Sequence, residues 1–119
     1  MILVDTSIWV SHFRYGNPRL ETLLLNMEVA CHLFIIGELA CGNLKNRQEI
    51  LSLLKALPTA MTADHNEVLH FIEQHQLMGM GLSYVDVHLL ASALLSTIPL
   101  WTKDKGLKKA ALKINVSYK

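Results

Sequence analysis

Residues 1–9 read Met1-Ile2-Leu3-Val4-Asp5-Thr6-Ser7-Ile8-Trp9. Three aliphatic residues run straight into a carboxylate, and two hydroxyls follow it. A short Ile-Leu-Val run is the pattern of a strand covered on both faces, as in a parallel sheet. From Thr6 onward the stretch predicts a helix over 6–14, closed by Gly16. An acid at such a junction has an ordinary use, because an N-cap contributes about 1 kcal/mol. Whether Asp5 does more depends on the acids that the fold brings beside it.

Working outward, the same alternation repeats. Asn17-Pro18 opens a helix carrying Leu20, Leu23, Leu24 and Met27 at helical spacing. Val29 to Cys31 reads as a short strand. Helices follow over 34–44 and 47–57, the second stopped by Pro58. Residues 59–61 read as a third strand, and Asp64 caps a helix that ends near Gly79. The segment 83–96 is apolar nearly all round, so it is expected to be central and buried. A strand over 98–102, a basic helix over 105–112 and a final strand over 114–118 complete the chain. Short strands alternating with helices imply an α/β fold with a mainly parallel sheet and a functional site at the carboxyl ends of the strands. At 119 residues with no internal linker or repeat, one domain over 1–119 is expected.

Composition excludes several classes. The chain is 51% hydrophobic and 18% charged, with a formal net charge of +1, so bulk charge makes no case for nucleic acid. Distribution says more: six of eleven Lys and Arg residues lie at or after Lys103, a local basic patch. Cys31 and Cys41 form neither a CxxC pair nor a disulfide framework, and buried free thiols are expected. Glu21, Glu28, His32 and Glu38 interrupt the longest apolar region, and no basic leader precedes the first strand. A soluble, cytoplasmic protein without a membrane span is the expectation.

The four aspartates are Asp5, Asp64, Asp86 and Asp104. Asp64 fronts a polar helix start and reads as a cap. Asp86 stands three residues after Ser83, a capping-box spacing, yet its neighbours YVDVHLLASALL are apolar and no cation lies one helical turn away. Glu38 is also without a helical cation, and Gly37, Cys41 and Gly42 leave it approachable. Asp104 could cap the last helix, with Lys108 four residues on. Asp5 and Asp104 each follow a strand. Gathered at one sheet edge with Glu38 and Asp86, such acids would repel one another, and a divalent cation resolves the conflict. Oxygen-only ligands favour Mg²⁺ or Mn²⁺ over zinc.

With these residues in hand, the chain resembles the PIN-domain ribonucleases, in particular the VapC-type toxins of toxin-antitoxin pairs. The matching blocks are LVDTSIW, FIIGELACGNLKNR, GLSYVDVHLLASALL and LWTKDKGLKKAA, in the family's order across nearly the whole chain. The resemblance implies a three-layer α/β/α sandwich with a central, mainly parallel sheet. It implies four catalytic, metal-holding acids, mapped block by block onto Asp5, Glu38, Asp86 and Asp104. Thr6, Ser7 and Thr102 map onto the polar residues that position water or substrate. It further implies Mg²⁺ or Mn²⁺ as cofactor, RNA as substrate, a small antitoxin as partner, and a homodimer. Two departures stand out. Ser83 replaces a more usual Gly, and Gly106 puts a glycine in the last helix's first turn, where it is expected to loosen Asp104.

Other readings fit the residues less well. A haloacid-dehalogenase-type phosphohydrolase needs a second Asp two after the first, and Ser7 stands there. A PIN-like module that binds without cleaving is the remaining alternative. His65, His70 and His75 spread around their helix and form no HExxH, so zinc is not expected. They and His88 read as satisfied or solvated. Arg14, Lys45, Arg47 and Lys103 lie near the acidic blocks and are candidates for phosphate contacts.

Overall fold

The structure is a computed structural model describing residues 1–119. Its elements are β1 (Ile2–Val4), α1 (Thr6–Tyr15), α2 (Pro18–Leu25), β2 (Val29–Ala30), α3 (Leu33–Cys41), α4 (Arg47–Ala56), α5 (His65–His75), α6 (Tyr84–Ser96), β3 (Leu100–Trp101) and α7 (Lys105–Lys113). The three strands form a parallel sheet in the order β2-β1-β3, and the helices pack round it as an α/β sandwich.

β1 is central because its side chains can be buried on both faces. Leu3 and Val4 have no exposed surface, and each such burial contributes about 1.5–3 kcal/mol. Its register places Ile2 opposite Val29 on one side and Val4 opposite Trp101 on the other. The chain leaves β1 towards one neighbour and later returns to the other. The carboxyl end of β1 is therefore a switch point, where an open parallel sheet leaves a crevice. Asp5 stands there, and its backbone N–H donates to the Trp101 carbonyl at 2.9 Å.

One core of 28 buried residues runs from Ile2 to Val116. As expected, α6 passes through it, with every residue from Val87 to Ala93 buried. Ser83 and Asp86 form its capping box, each side chain accepting from the other's backbone N–H. No helix is long and apolar enough to cross a membrane.

Several expectations need correction. Residues 59–61 and 114–118 are not strands; each contributes an isolated bridge, Cys31 to Thr59 and Leu100 to Ser117. α3 stops at Cys41 instead of 44, because Gly42 leaves helical geometry. α5 stops at His75, where Gln76 takes a left-handed conformation that ends the ladder well before Gly79. Cys41 is exposed, whereas Cys31 is buried, and burial pushes its thiol up to about 11. His88 is neither satisfied nor solvated. It is buried among Phe34, Tyr84 and His32, and neither ring nitrogen has a partner.

Candidate functional site

Asp5 is the most enclosed of the acids, at 6% exposure. A carboxylate this buried without a cation must be compensated by hydrogen bonds. Ser7 Oγ and Thr102 Oγ1 supply them, donating to Asp5 Oδ2 at 2.8 and 2.7 Å. The Ser7 N–H adds a longer bond to the same oxygen at 3.4 Å. Each hydroxyl has one proton, so the 3.3 Å approach between Ser7 Oγ and Thr102 Oγ1 is a close contact and no third bond. Asp5 thus caps α1, as its position in the sequence suggested, while Oδ1 keeps no protein partner.

The same hydroxyls organise the loop after β3. Thr102 Oγ1 accepts from the Asp104 N–H at 3.0 Å, and Ser7 Oγ accepts from the Lys103 N–H at 3.0 Å. Lys103 Nζ then reaches Ser11 Oγ at 3.1 Å. Asp104 caps α7 through Oδ1, which accepts from Gly106 and Leu107 N–H at 2.8 and 3.1 Å. Gly106 therefore does not loosen this acid. A Cβ there would stand 3.4 Å from Asp104 Oδ1, an ordinary contact.

The second and third acids come from helices. Glu38 lies exposed on α3, and Thr6 Oγ1 donates to its Oε1 at 2.7 Å, tying it to the residue beside Asp5. Asp86 lies half-buried at the start of α6, its Oδ2 accepting from Ser83 N–H at 3.1 Å. Its pKa is raised, chiefly by burial. The two Ser83 hydrogen bonds pull it down, and the negative charges of Asp5 and Asp104 push it up again. Those three acids therefore share one field.

Each of the four acids spends one oxygen on a protein donor and keeps the other. The spent atoms are Asp5 Oδ2, Glu38 Oε1, Asp86 Oδ2 and Asp104 Oδ1. As placed, no three ligating side chains stand close enough to hold one ion. The donor chemistry nonetheless fits a hard divalent cation, since every available atom is a carboxylate oxygen. Of the expected phosphate contacts, Arg47 is partly committed, donating through Nε and Nη2 to the Ala40 carbonyl at the end of α3. Arg14 and Lys45 are exposed.

Sequence reasoning did not find Arg19, Trp101 and Tyr118 beside Thr102. Arg19 and Tyr118 are 99 positions apart and lie outside every acidic block, so no local pattern announces them.

Comparison with known proteins agrees with this architecture. A family model described as PIN domain matches residues 2–113. Ribonuclease VapC32 of Mycobacterium tuberculosis is 44% identical over 118 residues, covering 98% of this chain and 95% of the relative. Ribonuclease VapC1 of Methanocaldococcus jannaschii is 30% identical over 121 residues, covering 95% of this chain and 85% of the relative. The crystal structure of PAE2754 from Pyrobaculum aerophilum superposes with a TM-score of 0.61 at 17% identity, covering 97% of this chain and 88% of that one, which speaks for the fold alone. The chain belongs to the PIN-domain family, in its VapC-type branch.

Proposed function

We propose that this protein is a Mg²⁺- or Mn²⁺-dependent endoribonuclease, the toxin of a toxin-antitoxin pair, with Asp5, Glu38, Asp86 and Asp104 as its catalytic acids. The observation that carries this reading is the set of four carboxylates, each with one oxygen held and one open, at the switch point of the sheet. The family and the relatives named as ribonucleases support RNA as the substrate.

When bound, the cation supplies a water activated for attack and positive charge against the phosphodiester. Asp5, Glu38 and Asp86 would hold it, directly or through water, and Asp104 would hold a second ion or order water. Thr6, Ser7 and Thr102 fix which oxygen each neighbouring acid presents, so the ligand set is oriented before substrate arrives. Mutual repulsion stores the tendency to accept a cation, because removing that repulsion is what the ion offers. An antitoxin and a second copy of the chain are the proposed protein partners. Exposed apolar side chains such as Leu25, Met27, Leu53 and Met61 provide surface for such contacts.

The test is Asp5→Asn assayed beside wild type on RNA with Mn²⁺. Loss of cleavage is expected, and equal cleavage would sink the assignment. A PIN-like module that binds without cleaving is the second reading, favoured by the spread of the acids. Calorimetric titration of Mn²⁺ into wild type and Asp86→Asn decides between them. Heat in wild type that Asp86→Asn loses supports the nuclease; no heat in wild type supports the binding module.

A further inference from the structure

A cavity of about 360 Å³ opens on the side of β3, within the size range of small-ligand sites. Its wall carries Arg19, Lys108 and Lys119 and no acidic side chain, in a chain whose net charge is only +1. Trp101 and Tyr118 form its aromatic part, with ring centres 5.4 Å apart and planes tilted by 50°. Thr102 belongs to the same wall, and its hydroxyl is bonded to Asp5. The cavity and the acidic site thus meet at one residue.

Arg19 is held in place here. Its Nε and Nη2 donate to Tyr118 Oη, the first at 2.7 Å, and its Cζ lies 5.5 Å from the centre of the Tyr118 ring. That anchoring leaves Nη1 for an incoming acceptor. Cations suit a phosphate, and an aromatic face suits any nucleobase, since every base can stack. Neither feature alone identifies a ligand; both in one cavity, beside an acid set, fit a nucleotide.

We infer that this cavity binds one nucleotide of single-stranded RNA flanking the phosphodiester at the acids. Its base packs on Trp101 and Tyr118, and its phosphate pairs with Arg19 and Lys108. The inference rests on the ribonuclease reading for the identity of the polymer, but not for the existence of the site. Arg19 and Lys108 are positioning residues: they place the strand, and the acids act on it.

The test is done in EDTA, so that binding is separated from cleavage. AMP is titrated while Trp101 fluorescence is followed, Trp9 being buried. Quenching is expected in wild type and lost in Trp101→Phe. The Arg19→Ala/Lys108→Ala variant, altered only at exposed residues, should bind AMP about tenfold more weakly. For a short single-stranded oligouridylate, the slope of log K against log salt should become shallower by about 0.7 in that variant, one phosphate no longer neutralised. With Mn²⁺ present, KM for RNA should rise by more than kcat falls. No quenching by AMP, or equal AMP affinity in wild type and double variant, overturns the inference. If AMP binds as expected but wild type cleaves no RNA with Mn²⁺, the nuclease reading falls and the nucleotide site stands. If wild type cleaves and AMP does not bind, the reverse holds.

Discussion

Thr102 donates its hydroxyl proton to Asp5 across 2.7 Å, joining residues 97 positions apart at adjoining strand ends. The same oxygen accepts the Asp104 N–H. One side chain therefore sets the position of two acids. Thr102→Val keeps the shape and removes both bonds. It is expected to cost about 1–2 kcal/mol in denaturant unfolding, because a buried carboxylate loses a donor. Cleavage should fall with it, and Thr102→Ser should restore most of both. Cleavage by Thr102→Val at the wild-type rate would show that the hydroxyl does not orient the site.

Asp104 has two roles that substitution can separate. Asn caps a helix about as well as Asp, whereas Ala loses the cap at about 1 kcal/mol. Asp104→Asn should therefore unfold at nearly the wild-type denaturant midpoint, with Asp104→Ala clearly lower. If the carboxylate serves the reaction, both variants should lose activity together. Activity that follows stability instead would reduce Asp104 to a cap.

Asp86 is predicted to stabilise the protein when neutralised. Its carboxyl is raised by burial and by Asp5 and Asp104, so the folded state holds the proton more tightly than the unfolded state. Stability from this group then falls as pH rises through the interval above the ordinary carboxylate value. In EDTA at neutral pH, Asp86→Asn should melt higher than wild type, since Asn can still accept the Ser83 N–H. Mn²⁺ should raise the wild-type melting temperature and leave the variant's unchanged. A lower melting temperature for Asp86→Asn in EDTA would mean that the repulsion is not felt.

His32 sets an acid limit. It is 1% exposed, its Nδ1 accepts from the Phe34 N–H, and its Nε2 has no partner. Burial, with the neighbouring His88 adding, lowers its pKa to about 4. Between that value and the ordinary 6.5 the unfolded chain binds the extra proton, so stability is lost as pH falls through this window. From pH 7 to pH 5 the loss should be on the order of 2 kcal/mol. His32→Asn keeps a capping acceptor and removes the titration. Its unfolding free energy should depend less steeply on pH over that range, whatever its absolute stability. An unchanged slope would remove His32 from the account.

How much of this was legible beforehand follows from where each feature's cause lies. The Ile-Leu-Val run, the Asn17-Pro18 start and the Ser83-Asp86 box are local, and each appears where its own residues dictate. The outer strands are not local. Thr59 and Ser117 each make one bridge to a distant partner, and the apolar content of their segments could not reveal how short that pairing would be. His88 departs from a satisfied or solvated histidine because the seven-residue buried run of α6 carries it inward with its apolar neighbours. Asp5, Asp86 and Asp104 lie in one electrostatic neighbourhood although they come from three separate stretches of the chain. The hydroxyl bridge between β1 and β3, by contrast, emerges only once the strands are side by side.

The single open oxygen on each acid has a further consequence, for the choice of ion. An oxygen that accepts one hydrogen bond still has a second lone pair, so these bonds aim a carboxylate without removing either atom from a metal's reach. Calcium prefers six to eight oxygens and often chelates carboxylates through both. Magnesium keeps several waters and asks little of the protein beyond one or two well-aimed oxygens. Bonds that hold one oxygen of Asp5 and one of Glu38 would leave the other free for such an ion, which needs few protein oxygens but well-aimed ones.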